Sequence, residues 1–132
     1  MLASKHVFVY GTLRKGGAND ITHLTPAPRF VGEATLPGRM YHLRQYPGVV
    51  LGEPGQVVGE VYAISPELER VLDEIEELYP QKKDEYFKRF QPVRVNNDTL
   101  SCIVYEINPA YLKGCTVITS GDWLDATGRQ TN

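Results

Sequence analysis

The chain has 132 residues, 42% of them apolar and 23% charged, with a formal net charge of −2. That length suits one domain with its own core. The near-neutral charge, with basic residues clustered no further than the pairs Arg14-Lys15, Lys82-Lys83 and Lys88-Arg89, argues against a nucleic-acid footprint. No apolar run approaches the roughly 18 residues a membrane span needs. The amino-terminal residues lack the apolar stretch of a secretory leader. The expectation is a cytoplasmic protein with neither membrane nor nucleic acid as partner. Cys102 and Cys115 have no metal-ligand spacing and read as reduced core residues.

The first expected strand covers residues 6–10, with Val7 and Val9 on one face and Phe8 and Tyr10 on the other. It runs into Gly11-Thr12-Leu13-Arg14-Lys15-Gly16-Gly17. A glycine-rich turn after a buried strand leaves backbone N–H groups able to hold an oxyanion; on spacing alone it reads first as a plain loop. A phosphate-binding reading fails, because Gly17-Ala18 stands where that motif needs Lys-Ser or Lys-Thr. Residues 14–28 read as a loop with a short helix near Asp20–Leu24. Short β-type runs follow at Phe30–Leu36, Arg39–Leu43, Val49–Leu51 and Val57–Ile64. Pro37-Gly38, Pro47-Gly48 and Pro54-Gly55 punctuate them as turns, which suggests an antiparallel meander or barrel.

The principal helix is expected from Ser65, a good N-cap, with Pro66 at the first helical position. Leu68, Val71, Leu72, Ile75 and Leu78 form its apolar stripe, and Tyr79-Pro80 ends it. Its acidic run, Asp73-Glu74-Ile75-Glu76-Glu77, reads first as a solvated face. At about 100° per residue, Asp73 and Glu77 point well away from the stripe, while Glu76 lies about 40° beyond Leu72. A carboxyl on that border can enter an apolar pocket, where a raised pKa suits proton transfer. Two strands follow, Phe87–Val95 and Leu100–Ile107, joined by a hairpin turn at Asn96-Asn97-Asp98. A last apolar stretch, Cys115–Ile118, precedes Ser120-Gly121-Asp122-Trp123-Leu124, and the end from about 126 reads as a flexible tail. The fold class is α+β: a small mixed or mainly antiparallel, barrel-like sheet with one principal helix packed against it. His6, His23 and His42 show no metal spacing, and no Ser or Cys sits in a nucleophile context.

In order and spacing, these landmarks resemble the gamma-glutamylcyclotransferase-like family of AIG2-like and YtfP-like cyclotransferase domains. The resemblance rests on Tyr10-Gly11-Thr12-Leu13-Arg14, the Pro-Gly-punctuated run from Leu36 to Tyr62, Leu72-Asp73-Glu74-Ile75-Glu76, Phe87-Lys88-Arg89 and Gly121-Asp122-Trp123. It implies one domain over residues 1–125 and release of 5-oxoproline from a gamma-glutamyl amine or amino acid, without cofactor or metal. It implies Glu76 as general acid/base, with Tyr10, Gly11, Thr12, Leu13 and Tyr105 around the substrate. Arg14 receives no catalytic role. Glu77 stands where the family usually has a glycine, and this keeps a non-catalytic binder of carboxylate or glutamyl compounds as the alternative. The amine and the oligomeric state are left open.

Overall fold

In a computed structural model, the structure describes residues 5–43, 45–78 and 85–127, the side chains of 76–78 excepted. Six strands form one mixed sheet in the order β4-β5-β1-β3-β2-β6. These are β1 (Lys5–Val9), β2 (Arg29–His42), β3 (Pro47–Ile64), β4 (Tyr86–Val95), β5 (Asp98–Ile107) and β6 (Thr116–Ile118). Helix α1 (Pro66–Leu78) follows β3, and a short helix α2 (Trp123–Thr127) follows β6. The expected mixed sheet with one principal helix is present. It is not a closed barrel, for β4 and β6 form its two edges. Nor is it a meander: β1 lies inside the sheet, antiparallel to β3 and parallel to β5.

Alternation along β1 divides the core as its sequence indicates. Phe8 packs with Val49, Val57, Val61, Val104 and Trp123 on one face. Val7 and Val9 pack on the other with Tyr62, Ile103, Leu68 and Leu72 beneath α1. Burying these side chains, each worth about 1.5–3 kcal/mol, holds α1 on the sheet. Its start is as expected, with the N–H of Leu68 donating to Ser65 Oγ at 3.1 Å. α2 was not foreseen; it includes residues 126 and 127, which the sequence reading gave to the tail.

The Pro-Gly pairs behave differently from their expected role as turns. Only Pro47-Gly48 stands at a strand start. Pro37-Gly38 lies within β2 and Pro54-Gly55 within β3. There the register jumps from Pro37↔Gln56 to Gly38↔Leu51, so residues 52–55 have no partner on β2. This is an enlarged bulge, which bends a strand without ending it. Gly52 and Gly55 take positive φ values of 81° and 130° to form it. The β4–β5 turn is the expected hairpin, with Asn96 and Asn97 at φ 51° and 69°. The Asn96 amide donates to Val31 O at 2.7 Å, so the sheet curls until the hairpin tip touches β2.

Candidate active site

The five expected binding residues, Tyr10, Gly11, Thr12, Leu13 and Tyr105, all line one cavity of about 50 Å³. Phe8 and Val9 of β1, Pro47 and Tyr86 also line it, and none of these was foreseen as a site residue. Gly11 is required by close approach: a Cβ there would lie 2.7 Å from Pro47 Cγ. The loop folds back on itself through Asn19 N–H to Thr12 O at 2.8 Å and Ile21 N–H to Leu13 O at 2.8 Å. The N–H groups of Gly11, Thr12 and Leu13 meet no acceptor among the described residues. Backbone donors of this kind are able to hold a carboxylate or a developing oxyanion.

Arg14 anchors this loop from behind. It is 2% exposed. Its Nε meets Glu60 Oε2 at 2.9 Å and its Nη1 meets Asp122 Oδ1 at 2.8 Å. Glu60, also buried, accepts from the N–H of Lys15 and the hydroxyl of Tyr62, both at 3.0 Å. Burial, and then the Glu60 charge, push the Tyr62 hydroxyl pKa well above the usual tyrosine value. Asp122 also accepts the N–H of Asp125 at 3.1 Å and so caps α2. Gly121 sits at φ 66°, where a Cβ would fall 1.8 Å from Gln56 O. Gly-Asp-Trp is thus a structural clasp: glycine for the close approach, aspartate for Arg14, and Trp123 for the core beside His42.

The helix side of the cavity corrects one expectation. Asp73 is not simply a solvated residue of α1. The Tyr105 hydroxyl donates to its Oδ1 at 2.6 Å, and Lys88 Nζ reaches its Oδ2 at 3.0 Å. Lys88 also pairs with Glu69, which Lys5 meets in turn at 3.2 Å. Burial opposes the Lys88 ammonium, but its bonds to Glu69 and Asp73 outweigh this and hold its pKa above the usual lysine value. The Tyr10 hydroxyl donates to Tyr105 O at 2.5 Å, joining the loop strand to β5. Glu76 falls in the last turn of α1, and its side chain lies outside the described residues. Arg89 is an exposed residue paired with Glu106 at 2.9 Å and stacked over Phe87, and it does not line the cavity.

Among the described residues, no group of three His, Cys, Asp or Glu side chains is placed to hold a metal ion. No helix among them is long and apolar enough to cross a membrane. Cys102 is buried, and burial pushes its thiol up to about 11. Cys115, expected in the core, is only partly buried, and both cysteines are free.

The family model described as gamma-glutamyl cyclotransferase, AIG2-like, matches residues 7–125. The chain belongs to this family. Its match begins in β1 and ends in α2, so it takes in both the loop and the Gly-Asp-Trp clasp. Solved structures agree with that membership. Protein ytfP from Escherichia coli is 30% identical, with 92% of this chain and 98% of that one covered and a TM-score of 0.60. An uncharacterized protein from Pyrococcus horikoshii is 26% identical over 94% and 93% of the two chains, with a TM-score of 0.66. An AIG2-like protein from Mus musculus is 26% identical over 84% of each chain, with a TM-score of 0.63. Among curated proteins, none matches the chain by sequence.

Proposed function

We propose that this chain is a cofactor-independent gamma-glutamylcyclotransferase that releases 5-oxoproline from a gamma-glutamyl amine or amino acid. The observation that carries the reading is the cavity itself. Gly11, Thr12 and Leu13, whose N–H groups have no acceptor among the described residues, line it together with three tyrosines, in a chain of this family.

The chemistry asks little of the protein. The substrate's α-amine nitrogen bonds to its own γ-carbonyl carbon, and the bond from that carbon to the departing amine breaks. One proton leaves the attacking nitrogen and one reaches the departing nitrogen, so water is neither used nor formed. The enzyme must fold the glutamyl group back on itself, move that proton and stabilise the oxyanion. The N–H groups of Gly11, Thr12 and Leu13 would hold the oxyanion or the α-carboxylate. Tyr10 and Tyr105 would shape the pocket. Glu76 would take the first proton and return it to the leaving group. Helical spacing supports this assignment, since position 76 is one turn beyond Leu72 and Asp73, and Asp73 touches Tyr105. We place the reaction in the cytoplasm, where the two free thiols stay reduced.

Glu77, in place of the family's usual glycine, favours a second reading in which the pocket binds a glutamyl compound without turnover. Multiple-turnover formation of 5-oxoproline, followed by mass spectrometry over a panel of gamma-glutamyl amines, decides between them. Product beyond one equivalent per chain excludes the binder. Binding of a panel member without product excludes the enzyme.

A further inference from the structure

A separate cavity of about 330 Å³ shares no lining residue with the one described above. Four of the residues around it belong to β2 and β3 and form two cross-strand pairs, Phe30 opposite Tyr62 and Glu33 opposite Glu60. Directly opposed residues project from the same face of a sheet. Phe30 and Glu33 stand three positions apart, which on a regular strand would put them on opposite faces. A register shift between Phe30 and Gly32 makes Val31 the extra residue of a bulge and turns both toward one face. The Asn96 amide holds that bulge from the hairpin tip, donating to Val31 O at 2.7 Å. Lys15 and Thr22, from the segment after β1, complete the lining.

The four strand residues are not equivalent. Glu60 is buried, and its charge is met by Arg14, with further bonds from the Lys15 N–H and the Tyr62 hydroxyl. Tyr62 is buried as well, whereas Phe30 keeps 55% of its surface exposed while its ring meets Tyr62 edge-to-face at 5.5 Å. Glu33 and Lys15 are also exposed. They line one cavity, yet their charged groups lie beyond ion-pair distance of each other. A cation, an anion and an uncovered aromatic ring around one space match a ligand with one charge of each sign and an apolar side chain. The volume equals that of about ten waters, close to the heavy-atom count of a free aromatic amino acid.

We infer that this cavity binds a free aromatic α-amino acid as its zwitterion, with the ammonium beside Glu33, the carboxylate beside Lys15 and the side chain against Phe30. The site is distinct from the cavity proposed for the glutamyl group, and it stands whether or not that cavity turns substrate over.

Calorimetric titration of the full chain near neutral pH tests this with L-phenylalanine, phenethylamine, which lacks the carboxylate, and 3-phenylpropionate, which lacks the ammonium. The wild type binds L-phenylalanine about fivefold tighter than either, the upper end for one exposed ion pair. Lys15→Met brings L-phenylalanine level with phenethylamine, and Glu33→Gln brings it level with 3-phenylpropionate. Phe30→Ser weakens L-phenylalanine about tenfold by removing the ring it packs on. All three positions are exposed, so the variants keep the wild-type fold, which circular dichroism checks. No binding of L-phenylalanine by the wild type overturns the site. Equal binding of phenethylamine or 3-phenylpropionate overturns the zwitterion. Binding that none of the three variants changes places the ligand elsewhere, the loop N–H groups included, and overturns the site as well.

Discussion

Arg14→Met is the perturbation whose cost follows most directly from the structure. The Arg14 side chain is 3% exposed and that of Glu60 7%, so water screens this pair little. Asp122, at 22%, can be solvated once Arg14 is gone and contributes the smaller share. Glu60 cannot; it keeps the Lys15 N–H and the Tyr62 hydroxyl but loses its counter-charge. Removing one partner of a buried pair costs about 3–5 kcal/mol. For a domain of this length, about 3–4 °C of Tm accompanies each kcal/mol, so the variant melts about 10–20 °C lower. Arg14→Lys keeps the charge but not the fork that reaches two carboxylates, and falls between. Adding Glu60→Gln to Arg14→Met removes the stranded charge and recovers at least about 2 kcal/mol. Thermal melts followed by circular dichroism measure all four proteins. Arg14→Met melting within about 2 °C of the wild type would refute the reasoning, as would a double variant no more stable than Arg14→Met.

Other expectations follow from single contacts. Gly121→Ala, forced to φ 66° against Gln56 O, loses at least about 2 kcal/mol in chemical denaturation; wild-type stability would mean the clasp is not tight. Tyr105→Phe leaves Asp73 paired with Lys88, so it costs only about 1 kcal/mol of stability. It should still raise KM for a gamma-glutamyl substrate several-fold, and an unchanged KM would remove Tyr105 from the pocket. Asp20 and Glu69 have pKa values below the usual carboxylate range. Burial opposes this, but bonds from Thr22 and Gly16, and from Lys88 and Lys5, outweigh it. A lowered folded pKa contributes stability above the unfolded value and loses it as pH falls. Tm should therefore hold from pH 7 to about pH 5 and drop below it, and Glu69→Gln should flatten that drop.

Local patterns carried the features set by local physics. Alternation in β1 assigned its two faces, Ser65-Pro66 marked the start of α1, and paired asparagines with positive φ made the β4–β5 turn. The loop residues were singled out through the family resemblance, because a glycine-rich turn after a buried strand reads by itself as a plain loop. Pro37-Gly38 and Pro54-Gly55 were misread because a bulge and a turn recruit the same residue types. The strand register that distinguishes them is a non-local property. Asp73 was placed on a solvated face because a helical wheel knows only its own helix. Tyr105 and Lys88 reach it from other strands. The Arg14–Glu60–Asp122 cluster joins residues 46 and 108 positions apart, beyond any spacing rule. One signal was available: Glu60 is a lone charge in the apolar run Val57–Ile64, where a charged side chain is rarely buried without a partner.

The central claim is that this family's fold here carries turnover through one carboxylate. The most direct measurement is 5-oxoproline release by the wild type and by Glu76→Gln, side by side, from the same gamma-glutamyl amines. Both proteins are first shown to be folded by circular dichroism. The account predicts many turnovers from the wild type and a loss of at least about a hundredfold in kcat from the variant, the scale of one general acid/base. Equal rates from the two proteins would contradict it.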